Sequence, residues 1–120
     1  MSAPNPLLDP EAIENLRALG EPGDDSFLRE IIGIYLADTP QRLAELRAAH
    51  AAGDQAVFVR AAHTIKGSSA NVGAAQVRAL AEQLEHAAKA GPIAPLLPQV
   101  EELAGAFAET ERALQGLLGG

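Results

Sequence analysis

Apolar residues recur at three- and four-residue spacing along most of this chain, and short breaks rich in Gly, Pro and Asp divide them into segments. This period places apolar side chains on one face of a helix, so the segments must pack together to bury those faces. The composition agrees, with 25 Ala and 16 Leu but three Phe, one Tyr and no Trp among 120 residues. Alanine favours helices, whereas sheets use aromatic and β-branched residues. We therefore predict an all-α fold in a single domain.

Helix-breaking residues predict where the segments begin and end. Asp9-Pro10 is a typical helix start, because aspartate caps the backbone and proline fits the first turn. This first helix is short, and we predict that it stops at Gly20 in a left-handed cap. The second helix contains Pro40, which should bend or divide it because proline lacks a backbone donor. Further breaks are expected at Gly53-Asp54, Gly73 and Gly91-Pro92.

Four long helices and one short helix follow from these breaks. Their connections are short, which favours antiparallel neighbours. We predict an antiparallel up-down four-helix bundle with an additional short N-terminal helix, in a domain spanning residues 9–118 after an irregular arm at residues 1–8. The last helix is predicted to begin around Pro95 or Pro98 and to bury Leu96, Leu97, Val100, Leu103, Phe107, Leu114 and Leu117.

The net charge of −7 and the lack of cysteine argue against several classes of function. Nucleic-acid binding needs clustered Lys and Arg, so no nucleic-acid partner is expected. Without cysteine there is no thiolate metal site. A metal site inside a bundle would need paired Glu-x-x-His motifs, whereas Glu82 could reach His86 only at four-residue spacing and no second copy exists, so no metal is predicted. The chain shows neither a signal peptide nor an apolar run of about 18 residues, which predicts a cytoplasmic protein that does not cross a membrane.

The segment AAHTIKGSSANVGA, residues 61–74, is the one stretch whose pattern predicts chemistry. On a helix its apolar side chains lie opposite His63, so the imidazole is predicted to face solvent or a partner. Lys66 and Gly67 follow about one turn later on the same face. The Lys66 ammonium could stabilise negative charge on the imidazole. Gly67 would leave room for a phosphoryl group or a partner's loop, at a cost of about 1 kcal/mol in helix propensity.

A neutral imidazole is a good nucleophile near pH 7 and can form a bond to phosphorus. The glycines of the chain form no phosphate-binding loop, so we do not expect the domain to use ATP by itself. These two observations predict a phosphoryl carrier without its own nucleotide site rather than an autonomous enzyme.

The run HTIKGSSANVGA resembles the signature of histidine-containing phosphotransfer domains, in which HxxKGSS precedes a Gly-Ala start to the next helix. The segment FLREIIGIYLADTPQRLAELRAAHAAGD is similar to the family's second helix, including its central proline, and the helix order agrees from about Asp9 to Leu118. The resemblance implies a four-helix bundle in a multistep phosphorelay. In it, His63 would take a phosphoryl group from a receiver-domain aspartate and pass it to another.

The same resemblance implies roles for further residues and partners. Lys66 would lie beside the phosphohistidine, and Gly67 would clear access to it. The implied partners are response-regulator receiver domains and a hybrid histidine kinase, with Mg²⁺ bound by the receiver, no cofactor in this chain, and a monomeric carrier. A fourth-helix position often faces the histidine in this family, and here Glu85 is the better match and Gln83 the second. A glutamate could orient the imidazole or repel a phosphoryl group, so its role stays open.

A docking surface around His63 is also predicted. Val59 is apolar and lies on the His63 face, and the first helix could add apolar side chains, although these could equally be buried. The candidate docking residues are Val59, Arg60, Ala70, Ile13 and Leu16.

Two other functions stay open at this point. The domain could be a receiver-binding adaptor that is not phosphorylated, although the presence of His63, Lys66 and Gly67 counts against this. It could also be the phosphoacceptor of a chemotaxis-type histidine kinase, although no linked catalytic domain is present, which favours a free-standing relay protein. The donor, the acceptor and the direction of net phosphoryl flow are not defined by the residues.

Overall fold

A computed structural model describes residues 7–119, which form five α-helices and one short 3-10 helix. The α-helices are α1 (Pro10–Ala18), α2 (Ser26–Ala52), α3 (Gln55–Asn71), α4 (Ala75–Ala90) and α5 (Leu97–Leu117). The 3-10 helix, Ala94–Leu96, leads directly into α5. No strand occurs in these residues, which confirms the predicted all-α fold.

Helices α2 to α5 form the predicted antiparallel up-down bundle. Each packs against the next helix in chain order, and α2 also packs against α5, so the four helices enclose one core. That core is mainly aliphatic, and its largest fully buried side chains include Phe58, Leu28, Ile32, Leu46, Ile65, Leu84, Leu103 and Leu114. Within residues 7–119, no helix is both long enough and apolar enough to cross a membrane.

The additional helix α1 packs against α2 and against the turn between α3 and α4. The Asp9 N–H donates to the Gly73 carbonyl oxygen over 2.8 Å. Gly73 has a φ of +70°, and a Cβ there would lie 3.1 Å from the Asp9 carbonyl oxygen and 3.2 Å from Ile13 Cγ1. Only glycine meets both demands, the left-handed backbone and the close approach of α1.

Several predicted helix ends are confirmed. Asp9 Oδ1 accepts from the Glu11 N–H over 3.0 Å at the start of α1. Gly53 is left-handed at the end of α2, and Asp54 Oδ1 accepts from the Val57 N–H over 3.2 Å at the start of α3. In the predicted arm, residues 7 and 8 lie outside any helix, and residues 1–6 lie outside the described part of the chain.

The predicted left-handed cap at Gly20 is wrong. Helix α1 ends two residues earlier, and Leu19 caps it in a right-handed conformation. The left-handed glycine of this loop is Gly23, with a φ of 78°. Gly20 instead lies against the start of α2, where an added Cβ would be 3.3 Å from the Asp24 carbonyl oxygen and 3.5 Å from Phe27 Cβ. Packing therefore decides where the chain turns.

Pro40 does not divide the second helix, because α2 continues through it. Buried side chains on both sides of the proline, Tyr35 and Leu43 among them, hold the helix against the bundle. Such tertiary packing outweighs the lost backbone hydrogen bond. The predicted burial of Leu97 and Leu117 is also wrong, since both side chains are exposed at the two ends of α5.

Candidate functional site

Helix α3 presents His63 on the outer face of the bundle. Its opposite face is formed by Phe58, Ala61 and Ile65, which are all buried in the core. Because side chains on a helix repeat every 3.6 residues, burying that face turns His63 outward. The His63 side chain is 64% exposed, so the imidazole can be reached from solvent.

Helix α4 places a buried carboxylate beside this imidazole. The Glu85 side chain is only 4% exposed, and its Oε2 lies 2.9 Å from His63 Nδ1. Oε1 of the same carboxylate lies 2.8 Å from Lys66 Nζ, and Oε2 lies 3.1 Å from Lys89 Nζ. One carboxylate thus joins α3 to α4 at the histidine. Gln83, the second match, is exposed and lines a hollow between α4 and α5 instead.

The charge state of Glu85 determines which imidazole nitrogen carries hydrogen. Burial alone would raise the pKa of Glu85, but its contacts with Lys66, Lys89 and His63 outweigh burial and lower the pKa to about 2. Glu85 is therefore ionised at neutral pH and can only accept hydrogen bonds. Nδ1 must then donate the hydrogen, which leaves the Nε2 lone pair of the neutral ring available for attack.

Gly67 is not required by the fold of α3. It is exposed, it does not have a positive φ, and a Cβ at this position would meet no heavy atom within 4 Å. A glycine inside a helix costs about 1 kcal/mol relative to alanine. Neither the backbone nor internal packing therefore requires glycine at this position, which lies one turn from His63.

The two serines that follow Gly67 serve the fold. Ser69 is buried, and its Oγ lies 2.8 Å from the Tyr35 hydroxyl, which ties α3 to α2. Burial raises the pKa of Tyr35 to about 12, although the Ser69 hydrogen bond opposes this rise. Ser68 Oγ donates to the Ile65 carbonyl oxygen within the same helix. Neither hydroxyl lies in the cluster around Glu85.

The structure separates the predicted docking residues. Arg60 and Ala70 are exposed, and Val59 and Leu16 are half-buried. Ile13 is only 4% exposed and belongs to the core, so its predicted place on a docking surface is wrong. It is buried because the underside of α1 packs against the α3–α4 turn at Gly73.

One exposed apolar residue near α3 was not predicted from the sequence. Ile34 on α2 is 59% exposed and borders a hollow of about 160 Å³ between α2 and α3. The hollow is also lined by Ile31, Tyr35, Ser68, Asn71 and Val72. The sequence signal for this exposed residue is that Ile34 lies outside the stripe of apolar positions that predicts the buried face of α2.

A family model for the Hpt domain matches residues 30–116, which include His63 and Glu85. The structure is similar to histidine-containing phosphotransfer protein B from Pseudomonas aeruginosa PAO1, with a TM-score of 0.83 and 26% identity over 92% of this chain and 93% of that chain. A search of curated protein sequences gives no match.

Two further solved structures share the fold. A putative histidine-containing phosphotransfer protein from rice has a TM-score of 0.82 and 23% identity, covering 94% of this chain and 82% of that one. The HPT domain of a hybrid histidine kinase from Shewanella has a TM-score of 0.71 and 22% identity, covering 92% and 97%. These findings favour a phosphorelay carrier over the adaptor and chemotaxis-type alternatives. The chain belongs to the Hpt domain family, whose members are the histidine phosphotransfer proteins of phosphorelays.

Proposed function

We propose that His63 is the phosphorylated residue of this phosphotransfer protein, taking a phosphoryl group from one receiver-domain aspartate and passing it to another. The observation that carries this proposal is the exposed imidazole whose Nδ1 is held by the buried, ionised Glu85. This contact orients the ring and leaves Nε2 as the nucleophile. Among the described hydrogen bonds and ion pairs, neither His50 nor His86 has a carboxylate partner. His50 Nε2 lies 2.9 Å from the Ala94 carbonyl oxygen instead.

The transfer step needs no proton to move. The Nε2 lone pair of His63 attacks phosphorus, the bond from phosphorus to the aspartyl oxygen breaks, and its electron pair stays on the released aspartate. The ring keeps its Nδ1 hydrogen and becomes a phosphorylated imidazolium, which the Glu85 carboxylate stabilises at 2.9 Å. In the return step an aspartate of the second receiver attacks phosphorus, and the N–P electron pair returns to Nε2.

Lys66 and Gly67 have supporting parts in this proposal. The Lys66 ammonium contacts Glu85 in the resting protein and lies one turn from His63, where it can stabilise the charge of an incoming phosphoryl group. The missing side chain at Gly67 allows the partner's aspartate to approach. Glu85 takes the orienting role, and Gln83 has none because it lies on another face of α4.

The proposal extends to partners and cofactors. Receiver domains, including that of a hybrid histidine kinase, exchange the phosphoryl group and bring the Mg²⁺ that the chemistry requires. The carrier acts as a cytoplasmic monomer without its own cofactor or autonomous catalysis. Receivers dock on the face around His63, formed by the exposed Arg60 and Ala70 and the half-buried Val59 and Leu16, and on the hollow beside Ile34.

The test is phosphoryl transfer from a purified phosphorylated receiver, without ATP, to wild type, His63→Gln and His86→Gln. His86 is also an exposed helical histidine, so its variant is the matched control. We expect label on wild type and His86→Gln, stable to base and labile to acid, and none on His63→Gln. Because His63 is exposed, His63→Gln should keep its stability within about 0.5 kcal/mol. Label on folded His63→Gln would contradict the proposal.

A further inference from the structure

Both lysines of the chain bind the same carboxylate. The sequence contains two lysines and seven arginines, and the two lysines meet at Glu85 from different helices. Lys66 reaches Oε1 from α3, and Lys89 reaches Oε2 from one turn further along α4. Lys89 lies outside the HxxKGSS run, and its side chain is 61% exposed. An exposed ion pair contributes little by itself, so the convergence of both lysines on a buried carboxylate calls for a further reason.

The two oxygens of Glu85 divide the contacts unequally. Oε2 holds both the His63 Nδ1 hydrogen and the Lys89 ammonium, at 2.9 Å and 3.1 Å. Oε1 contacts only the Lys66 ammonium among these groups. Lys66 can therefore leave Glu85 without disturbing the oxygen that orients the imidazole. Lys89 is placed to keep that oxygen where it is.

The charges of the cluster show when Lys89 is needed. Before transfer, two ammonium groups and one carboxylate surround a neutral ring, and their sum is +1. After transfer, the imidazolium adds +1 and the phosphoryl group adds −2, so the four groups and the phosphoryl sum to zero. Without Lys89 this sum would be −1. If Lys66 then turned toward the phosphoryl group, the buried carboxylate would also be left without an ammonium partner, which is costly.

Resting on the proposed function, we propose that Lys89 is a positioning residue for the phosphorylated state. It holds the Glu85 carboxylate on His63 Nδ1 while the Lys66 ammonium moves from Glu85 to the phosphoryl group. The order along α4, glutamate four residues before lysine, is the favourable orientation for such a pair. The consequence is that removing Lys89 matters little before phosphorylation and much after it.

The test compares wild type, Lys89→Gln and Lys89→Arg, with Arg112→Gln as a control that removes an exposed positive charge from α5. The readout is the His63 Nδ1–H signal in NMR spectra, recorded before and after phosphorylation from a receiver. We expect every variant to show the hydrogen-bonded signal before phosphorylation. After it, Lys89→Gln should lose the signal, whereas wild type, Lys89→Arg and Arg112→Gln should keep it. Transfer to Lys89→Gln should also slow by about tenfold, since the Glu85 carboxylate is less well held against the imidazolium charge that forms during transfer.

Each other outcome has a defined meaning. If the signal persists in phosphorylated Lys89→Gln, or if Arg112→Gln loses it equally, the positioning role of Lys89 is refuted. Loss of the signal before phosphorylation also refutes it, because Lys89 would then be needed to build the resting site. If wild type takes no phosphoryl group on His63, the proposed function itself fails, and this result is distinct from the others.

Discussion

Replacing Gly67 with alanine should stabilise the fold and slow phosphoryl transfer at the same time. Alanine is favoured over glycine inside a helix by about 1 kcal/mol. A Cβ at Gly67 meets no heavy atom within 4 Å, so no internal clash offsets this gain. In a domain of this size, a gain of about 1 kcal/mol raises Tm by about 4 °C. The same methyl group would stand one turn from His63, in the space through which, in the proposed function, a receiver brings its phosphoryl group.

The transfer rate should fall because a small displacement of reacting atoms is enough to reduce it strongly. We expect about a tenfold loss for Gly67→Ala and a larger loss for Gly67→Gln. Gly105→Ala is the matched control, since Gly105 is exposed, lies inside α5, and also has no heavy atom within 4 Å of an added Cβ. It should gain similar stability and transfer normally. Denaturant unfolding and single-turnover transfer measure the two effects.

Two results would refute this reasoning. If Gly67→Ala transfers as fast as Gly105→Ala, the glycine does not provide access for a partner. If Gly67→Ala is less stable than wild type, the fold does require glycine there, and its presence needs no functional reason.

Three further predictions concern stability and docking. Because the pKa of Glu85 is lowered from 4.5 to about 2, its charged form stabilises the fold above pH 4.5, and this stability is lost as the pH falls toward about 2. Denaturant unfolding across this pH range should therefore show that Glu85→Gln loses about 3 kcal/mol less free energy of unfolding than wild type. Equal losses in the two proteins would show that the Lys66, Lys89 and His63 contacts do not stabilise the Glu85 carboxylate. Gly53 and Gly73 share a φ of +70°, but only a Cβ at Gly73 would be crowded. In thermal unfolding, Gly53→Ala should lower the free energy of unfolding by about 1 kcal/mol and Gly73→Ala by at least about 2 kcal/mol. Equal losses would contradict the close approach of α1 to Gly73. Calorimetry should show that Ile34→Asp weakens receiver binding by about tenfold, whereas Leu97→Asp, at another exposed apolar side chain, leaves it unchanged. Unchanged affinity of Ile34→Asp would show that the hollow beside Ile34 is not part of the receiver interface.

Features that depend on local periodicity and capping could be predicted from the sequence. The outward direction of His63 follows from the apolar residues on the other face of α3, and no partner helix is needed to infer it. The caps at Asp9 and Asp54 follow from the short reach of an aspartate side chain to the next backbone N–H groups. The number and order of the helices follow from the same local signals.

Features that depend on how helices pack against each other were predicted less well. Ile13 has the same local pattern whether its face meets the core or a partner, and only the approach of α1 to Gly73 decides between them. Gly20 likewise looks like a left-handed cap until the start of α2 packs against it. Pro40 marks a break in an isolated helix, but burial on both sides of it keeps α2 continuous.

The centre of the site shows the same division. The resemblance to the family ranked Glu85 above Gln83, but the distance from Glu85 to His63 depends on the register between α3 and α4. Lys89 is one of two lysines in the sequence, and nothing local connects it to a histidine 26 positions away. Only packing of the two helices brings both lysines to one carboxylate.

Identifying the atom that accepts the phosphoryl group is the most direct test of the proposed role of His63. Protein with ¹⁵N-labelled histidine, phosphorylated from a receiver, would be studied by ³¹P and ¹⁵N NMR to locate the bond. Because Glu85 occupies Nδ1 at 2.9 Å, the proposed mechanism predicts a single phosphohistidine with phosphorus bonded to Nε2 of His63. Phosphorus on Nδ1, or on any residue other than His63, would contradict it.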